Sequence, residues 1–510
     1  MPGQAARMSR APVPDRLRAA RQLGSCKDRV FCRVSRVAPE IVIVPFNHDF
    51  QTLERAVKER VFFVKSKDGF VPPPRPSKGV FESRLAATLE QLRPLLPSTT
   101  PWTHDEFLES CKGRKKIVYQ QALESLRLDP SITQRDADVK VFVKFEKTDF
   151  TSKADPVPRV ISPRNPRFNF AIGRYLKKLE HMLFKSLDRL YGDATVVKGY
   201  DASTTASILK TKWDSFRRPV AIGLDASRFD QHVSIDALGW EHSVYLKCFP
   251  QRKHRRKLNH LLRFQLHNRC FGNAPDGKLS YTIDGTRMSG DMNTSLGNCL
   301  LMCSMVHAYA KHCGVNLKLA NNGDDCVVFM EQNDLSKFNA GLQSWFLEMG
   351  FNMVVEDPVY QLEKVEFCQT RPVFDGSNYI MVRNPRTAIA KDSVMLHPWH
   401  GPSLFKGWLD AVGVGGLAMT GAIPVFQEFY NLYVKSGESR PIPKELLSWS
   451  FRHMSAGMTR TYSLVQESAR ASFYWAFDMT PDEQIVLEKY YSSMTISSAP
   501  GLYEAREDFP

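Results

Sequence analysis

Apolar residues recur along most of this chain at helical spacing, broken by a few short runs of strand character. Residues 81–127 read as helical, with FESRLAATLEQLRPLL and HDEFLESCKGRKKIVYQQALESL as amphipathic segments. VKVFVKFEK, at 139–147, alternates apolar and charged positions as a strand does. A Pro- and Arg-rich loop follows it, and helical spacing returns over 171–190. PVAIGLDAS is a short apolar run ending on an acid, which predicts a buried strand with Asp225 at its tip; residues 235–247 suit a helix after it. Leu296, Leu300, Cys303 and Val306 place a helix over Asn293 to His312. LKLANNGDDCVVFM reads strand, tight turn, strand. From about residue 385 onward the pattern is mostly helical. VPPPRPSKG, from Val71 to Gly79, predicts an extended polyproline connector, and the Arg-rich residues before about Val42 are expected to be flexible.

Composition adds a partner class. At 510 residues the chain is too long for one core, and two to four subdomains are expected. A formal net charge of +15 favours a polyanionic partner, because Lys and Arg set along phosphates release counterions. Charge alone fits an ordinary basic surface equally well. QRKHRRK, from Gln251 to Lys257, reads first as a solvated helix face and second as an RNA-facing patch. The ten cysteines form no CxxC and no Cys/His quartet, so reduced thiols, an intracellular setting and no structural zinc are expected. Residues 1–37 lack the apolar core of a signal peptide. The longest uncharged run, Ala411 to Gln427, holds four glycines and Pro424 and is short for a bilayer span. A buried helix pair with a turn is expected there.

Three acidic and polar clusters carry the chemistry. Asp225 and Asp230 lie in AIGLDASRFDQH; Ser289, Gly290, Thr294 and Asn298 in SGDMNTSLGN; Gly323, Asp324 and Asp325 in LANNGDDCVVFM. Nucleotidyl transfer uses two divalent ions about 3.5–4 Å apart, and such hard cations take carboxylate oxygens from rigid elements. Acids at a strand tip and in a hairpin turn would converge if the two packed side by side. Like charges packed so closely favour a cation between them. GDD alone reads equally as a polar turn. The ordered set is far more specific.

These residues resemble motifs A, B and C of the RNA-dependent RNA polymerases of positive-strand RNA viruses. LDASRFDQHVS, GTRMSGDMNTSLGN, NNGDDCVV, EFCQTRPV at 366–373 and the later RASFYWAFDMTPDEQ are similar to the tombusvirus and carmovirus-like group. The likeness runs from about residue 45 to 505. It implies an α+β right-hand fold: fingers, a palm of antiparallel sheet backed by helices, and a helical thumb. In those terms 1–80 is a basic N-terminal region and connector, 81–217 the fingers, and 218–250 the palm with motif A. A fingers insertion at 251–279, palm motifs B to E at 280–385 and the thumb at 386–510 complete the expected layout.

The resemblance also implies roles. Asp225 and Asp324 would ligate both metals, Mg2+ or Mn2+, with Asp325 assisting. Asp230, Ser289, Thr294 and Asn298 would sense the ribose 2′-hydroxyl, and Gly290 would admit the template or nascent base pair. VKFEKTDFTSKADPVPRVISPRNPRF resembles motif F, a basic loop at 140–170 that roofs the nucleotide tunnel. Lys144, Lys147 and Arg159 would bind triphosphate there, and Lys153, Arg164 and Arg167 would line the RNA channel. VVKGYDA, at 196–202, matches the element where template enters. Pro358 stands where many relatives carry a motif D lysine, so the general acid stays open among Lys364, a motif F cation and water. Cys368 reads as a packing residue in a segment that grips the primer strand.

Two other classes compete. Reverse transcriptases place an aromatic before the Asp pair and a bulky gate in motif A; this chain has Gly323 and Asp230 instead. A catalytically weak RNA-binding replication scaffold would have a degenerate palm, against which intact Asp225, Asp324 and Asp325 argue. The expected partners are template and product RNA and NTPs, with no DNA. With no membrane span of its own, the chain would join a membrane-associated replication complex in the host cytoplasm through a membrane-bound auxiliary viral protein or an N-terminal extension.

Overall fold

In the computed structural model, residues 1–34, 37, 38 and 40–497 are described. An apolar strand set between two antiparallel partners forms the middle of a four-stranded sheet. Pro219–Ala226 pairs on one side with Asp325–Glu331 and on the other with Met353–Val355; Leu317–Asn322 flanks Asp325–Glu331. The middle strand is buried on both faces. Val220, Ile222 and Leu224 join the main core with Val328 and Met330, whereas Ala221 packs with Val327, Phe329, Ala206 and Leu209. Two-sided burial is why this strand reads as a continuous apolar run and not as an alternation.

Helices close both faces. Thr294–Cys313 is buried from Leu296 to Ala310 and packs with the long helix Pro166–Tyr191. Ala202–Asp214 covers the opposite side. The expected hairpin is present: Asn322 pairs with Asp325, and Gly323 and Asp324 form the turn, with Gly323 at φ +87 where a side chain would be strained. Mixed helix and strand make this an α+β chain.

A second sheet has five strands, in the order Leu17–Arg21, Gly277–Asp284, His267–Ala274, Val139–Val143 and Val160–Ile161. It corrects the expectation of a flexible N-terminus up to about Val42. Leu17–Arg21 pairs residue for residue with Gly277–Tyr281, Cys32–Arg33 pairs with Val394–Met395, and Ile43–Val44 pairs with Thr148–Asp149. Only Leu17 of the first strand is buried, so backbone hydrogen bonds order it, and its side chains carry no apolar pattern to read. The sheet also joins residues 267–284 to the strands that flank the basic loop.

The C-terminal part is a helical cluster. Pro402–Thr420 and Phe426–Ser436 form the expected buried pair. A side chain at Gly413 would sit 2.7 Å from the Val434 nitrogen, and one at Gly416 would overlap the Tyr430 ring, so these glycines set how close the helices come. Phe31, Cys32 and Val34 share this core. Among the described residues no helix is long and apolar enough to cross a membrane.

Candidate active site

The acids meet where the strand order brings them. Asp225 stands directly opposite Asp325 across the antiparallel pair, and Asp324 occupies the adjoining turn. Burial, together with the charge of Asp324, pushes the Asp325 carboxyl up to about 6, although it accepts the Cys368 backbone N–H at 3.0 Å. Burial also raises Asp324, and the charge of Asp225 adds to the effect. Glu356 is a fourth acid that the sequence did not mark. Its backbone N–H donates to the Gly223 carbonyl at 3.1 Å, and its side chain fills the space a Cβ at Gly223 would need. Burial raises Glu356, with smaller contributions from Glu366 and Asp225. Oxygen-only donors whose negative charge is undercompensated fit a hard divalent cation. Among the described residues no three His, Cys, Asp or Glu side chains stand ready to hold an ion, so the acids share a locality without forming a finished coordination shell.

Beside them lies a cavity of about 150 Å3, lined by Arg60, Arg159, Arg228, Asp230, Ser289 and Asp324 among others. Asp230 is held from the wall. Asn298 Nδ2 donates to its Oδ1 at 2.9 Å, and Asn298 Oδ1 accepts from Arg287 Nε at 3.0 Å. Burial raises the Asp230 carboxyl against the effect of that amide bond. The other predicted pocket residues shape the loop. The Ser289 hydroxyl donates to the Val160 carbonyl at 3.3 Å and accepts the Ser162 N–H at 3.2 Å, which ties it to the basic loop. The Thr294 hydroxyl lies 2.9 Å from both the Met288 and Asp291 carbonyls, so its one proton is committed to the protein backbone. Gly290 was expected to admit a base pair. It faces Pro163 instead, whose Cα would lie 2.5 Å from an added Cβ.

The basic loop divides. Arg159 lines the cavity, and its Nη1 lies 3.4 Å from Glu146, which also pairs with Lys144 at 2.8 Å. Lys153 is exposed. Three other assignments are corrected. Lys147 points away: its ammonium donates to the Lys391 carbonyl, and burial pushes it down to about 8. The Arg164 side chain is fully buried, bonded to Asp291 at 2.6 Å, Asn268 at 2.6 Å and the Ala137 carbonyl at 2.7 Å. Arg167 bonds Asp136, the Ser125 hydroxyl and the Asp129 and Ser131 carbonyls. Arg164 and Arg167 therefore brace the fold and do not line an RNA channel.

Two arginines on the cavity were missed. Arg60 donates to the Val157 and Pro158 carbonyls at 2.9 and 3.0 Å; burial, with the charges of Arg228 and Arg159, pushes it down to about 10. Arg228, at φ +52, bonds the Glu59 carbonyl. Its place three residues after Asp225 was a usable signal; Arg60 offered none. Lys364 is engaged with both Asp478 oxygens at 2.7 and 2.8 Å. Lys198, within VVKGYDA, reaches Asn322 at 3.4 Å, and its charge bears on Asp324.

A model of the family described as Viral RNA dependent RNA polymerase matches residues 17–499. The chain belongs to that family. It is 54% identical to the RNA-directed RNA polymerase of Oat chlorotic stunt virus (isolate United Kingdom), over 98% of this chain and 69% of that protein. It is 43% identical to the enzyme of Tobacco necrosis virus (strain A), over 92% of this chain and 64% of that protein. For the Turnip crinkle virus enzyme the figures are 42%, 88% and 58%. The chain thus spans somewhat over half to about two thirds of the length of these polymerases. The match embraces every acid and arginine placed on the cavity.

Proposed function

We propose that this chain is the catalytic part of an RNA-dependent RNA polymerase that replicates a positive-strand viral RNA genome. The observation that carries this reading is the register pairing of Asp225 with Asp325, with Asp324 in the turn, beside a cavity rimmed by arginine. In template-directed synthesis a 3′-hydroxyl attacks the α-phosphorus of an NTP and pyrophosphate leaves. Asp225, Asp324 and Asp325 would hold two Mg2+ ions, or Mn2+ in their place. When bound, such ions lower the pKa of the attacking hydroxyl and offset charge on the leaving group. Arg159, Arg228 and Arg60 present positive charge to the triphosphate, and Arg159 can bind phosphate oxygens in a planar fork. Asp230 keeps one carboxylate oxygen free of Asn298 and offers it to a ribose 2′-hydroxyl.

In right-hand terms the four-stranded sheet is the palm. The five-stranded sheet and the helices before residue 217 are the fingers, and the helices after 386 are the thumb. Template and product RNA would pass over the palm. A viral membrane-bound partner, or a further segment of the polymerase, would bring the chain to membranes in the host cytoplasm.

Primer extension on a defined RNA template, with NTPs and then dNTPs, tests the reading. Asp324→Asn is expected to lower incorporation at least about 1,000-fold while RNA binding stays within a few-fold. Activity of that variant within a few-fold of the parent would remove the metal assignment. Binding without synthesis by the parent chain would favour the scaffold.

A further inference from the structure

Asn298 is oriented from behind. An amide can turn either end toward Asp230, and the two ends act oppositely: Nδ2 donates to the carboxylate, whereas Oδ1 would repel it. Here Nδ2 faces Asp230 because Oδ1 accepts from Arg287 Nε. Arg287 is itself immobilised. Its fork grips Glu241, with Nη1 at 3.0 Å from Oε1 and Nη2 bonded to Oε2, and both side chains are sealed from solvent. The Arg287 backbone N–H also donates to the Asp230 carbonyl at 2.8 Å, so one residue holds the pocket by main chain and side chain.

The ion pair has a place made for it. A Cβ at Gly297, next to Asn298 in the helix, would overlap Arg287 Nη2 and Glu241 Oε1. Glu241 Oε1 further accepts the Tyr245 hydroxyl and Asn293 Nδ2, each at 2.8 Å, and Gln265 returns a bond to Asn293 Oδ1 at 2.8 Å. His242 bonds Gln265 at 3.2 Å; burial pushes it down to about 4, so it stays neutral beside the pair. Every strong donor and acceptor in the group is directed, ending at the Asn298 amide. A fully satisfied buried network of this kind is rigid, and a change at one end reaches the other.

From this geometry we infer that Arg287 and Glu241 are specificity-determining positioning residues: through Asn298 they fix the Asp230 carboxylate that distinguishes ribose from deoxyribose. The inference rests on the sugar-pocket reading above, and its test separates the two.

The measurement is the ratio of kcat/KM for an NTP to that for the matching dNTP, in Asn298→Ala, Arg287→Lys, Glu241→Gln and Tyr245→Phe. A ratio is independent of the fraction of protein that folds. Tyr245→Phe keeps every charge and removes one donor to Glu241, which covers the event that the charge variants do not fold. Arg287→Lys and Glu241→Gln are expected to reduce the ratio by about tenfold or more, and Tyr245→Phe by about threefold. In the Asn298→Ala background, Arg287→Lys is expected to change it no further, because Arg287 acts through the amide that is gone. If Asn298→Ala lowers the ratio while the Arg287, Glu241 and Tyr245 variants keep the parent value, the relay is refuted and the pocket stands. Additive losses in the double variant would also refute it. An unchanged ratio in Asn298→Ala would refute the pocket reading and the relay together.

Discussion

What each guanidinium of the basic loop already holds decides what it can still bind. Arg164 has its donors committed to Asp291, Asn268 and two carbonyls, with the side chain fully buried. Arg159 is 57% exposed and loosely paired with Glu146. The sequence shows two arginines in one loop; the partner that separates them lies 127 positions further on and is invisible locally. Arg159→Ala is expected to raise the apparent KM for all four nucleotides alike by about tenfold or more, with Arg159→Lys recovering only part, since a point charge lacks the fork. A defect confined to one nucleotide in steady-state kinetics would place Arg159 on the template. Arg164→Ala should instead cost about 3–5 kcal/mol of folding stability by leaving Asp291 buried and unpaired, as denaturant titration would show. Lys147 offers a pH test. Its folded pKa is about 8, below the ordinary 10.5. Between those values the unfolded chain holds more protons, so this residue adds stability as pH rises through the window, and its burial penalty is full below it. The stability of Lys147→Met relative to the parent should therefore improve as pH falls from about 10 to about 7. A difference that does not vary with pH would contradict the depressed value.

Among the elements, legibility followed periodicity. The helix Thr294–Cys313 and the hairpin around Gly323 stand within a residue or two of where spacing put them, because burial imposes a regular pattern on both. The strand Leu17–Arg21 left no such trace. Nor did the turn at Cys368 and Gln369. Phe367 and Thr370 exchange backbone bonds at 2.9 and 3.0 Å around these two residues, at φ +51 and +59. That is the left-handed geometry in which hairpins favour Asn-Gly, so a Cys-Gln pair gives no warning of it. The turn aims the Cys368 N–H at Asp325, which suggests why strain is retained there. Gln369→Gly should relieve about 1 kcal/mol, and Gln369→Val should lose about 1–2 kcal/mol because a β-branched residue tolerates positive φ poorly. Denaturant midpoints at constant slope would read both; equal stability of the two variants would mean that the turn carries no strain.

At the scale of the whole molecule, the loop carrying Arg159 is held by chain about a hundred residues earlier. The Val42 N–H donates to the Thr151 hydroxyl at 2.8 Å, and Ile43–Val44 pairs with Thr148–Asp149. Arg55 clasps both Asp155 oxygens at 2.6 and 2.8 Å, and Arg60 takes the carbonyls of Val157 and Pro158. The contacts run in order along the loop and stop one residue short of Arg159, so the N-terminal segment sets where that guanidinium stands. Local patterns cannot reveal a clamp whose halves are so far apart in sequence, which is why residues 42–60 read only as part of a basic N-terminal region. Asp155→Ala removes one grip without removing a phosphate-binding cation. Its KM should rise about three- to tenfold for all four nucleotides, with kcat changed less, because misplacing a binding group by a fraction of an ångström weakens its contact. The loop around Asp155 should become easier to cleave in limited proteolysis. RNA affinity should keep the parent's salt slope, since the number of phosphates neutralised is the same. Arg60→Ala should do more, losing both a grip and a charge on the cavity. Unchanged KM in Asp155→Ala, or a fall in RNA affinity with a shallower salt slope, would mean that the segment serves the RNA path and not the placement of Arg159.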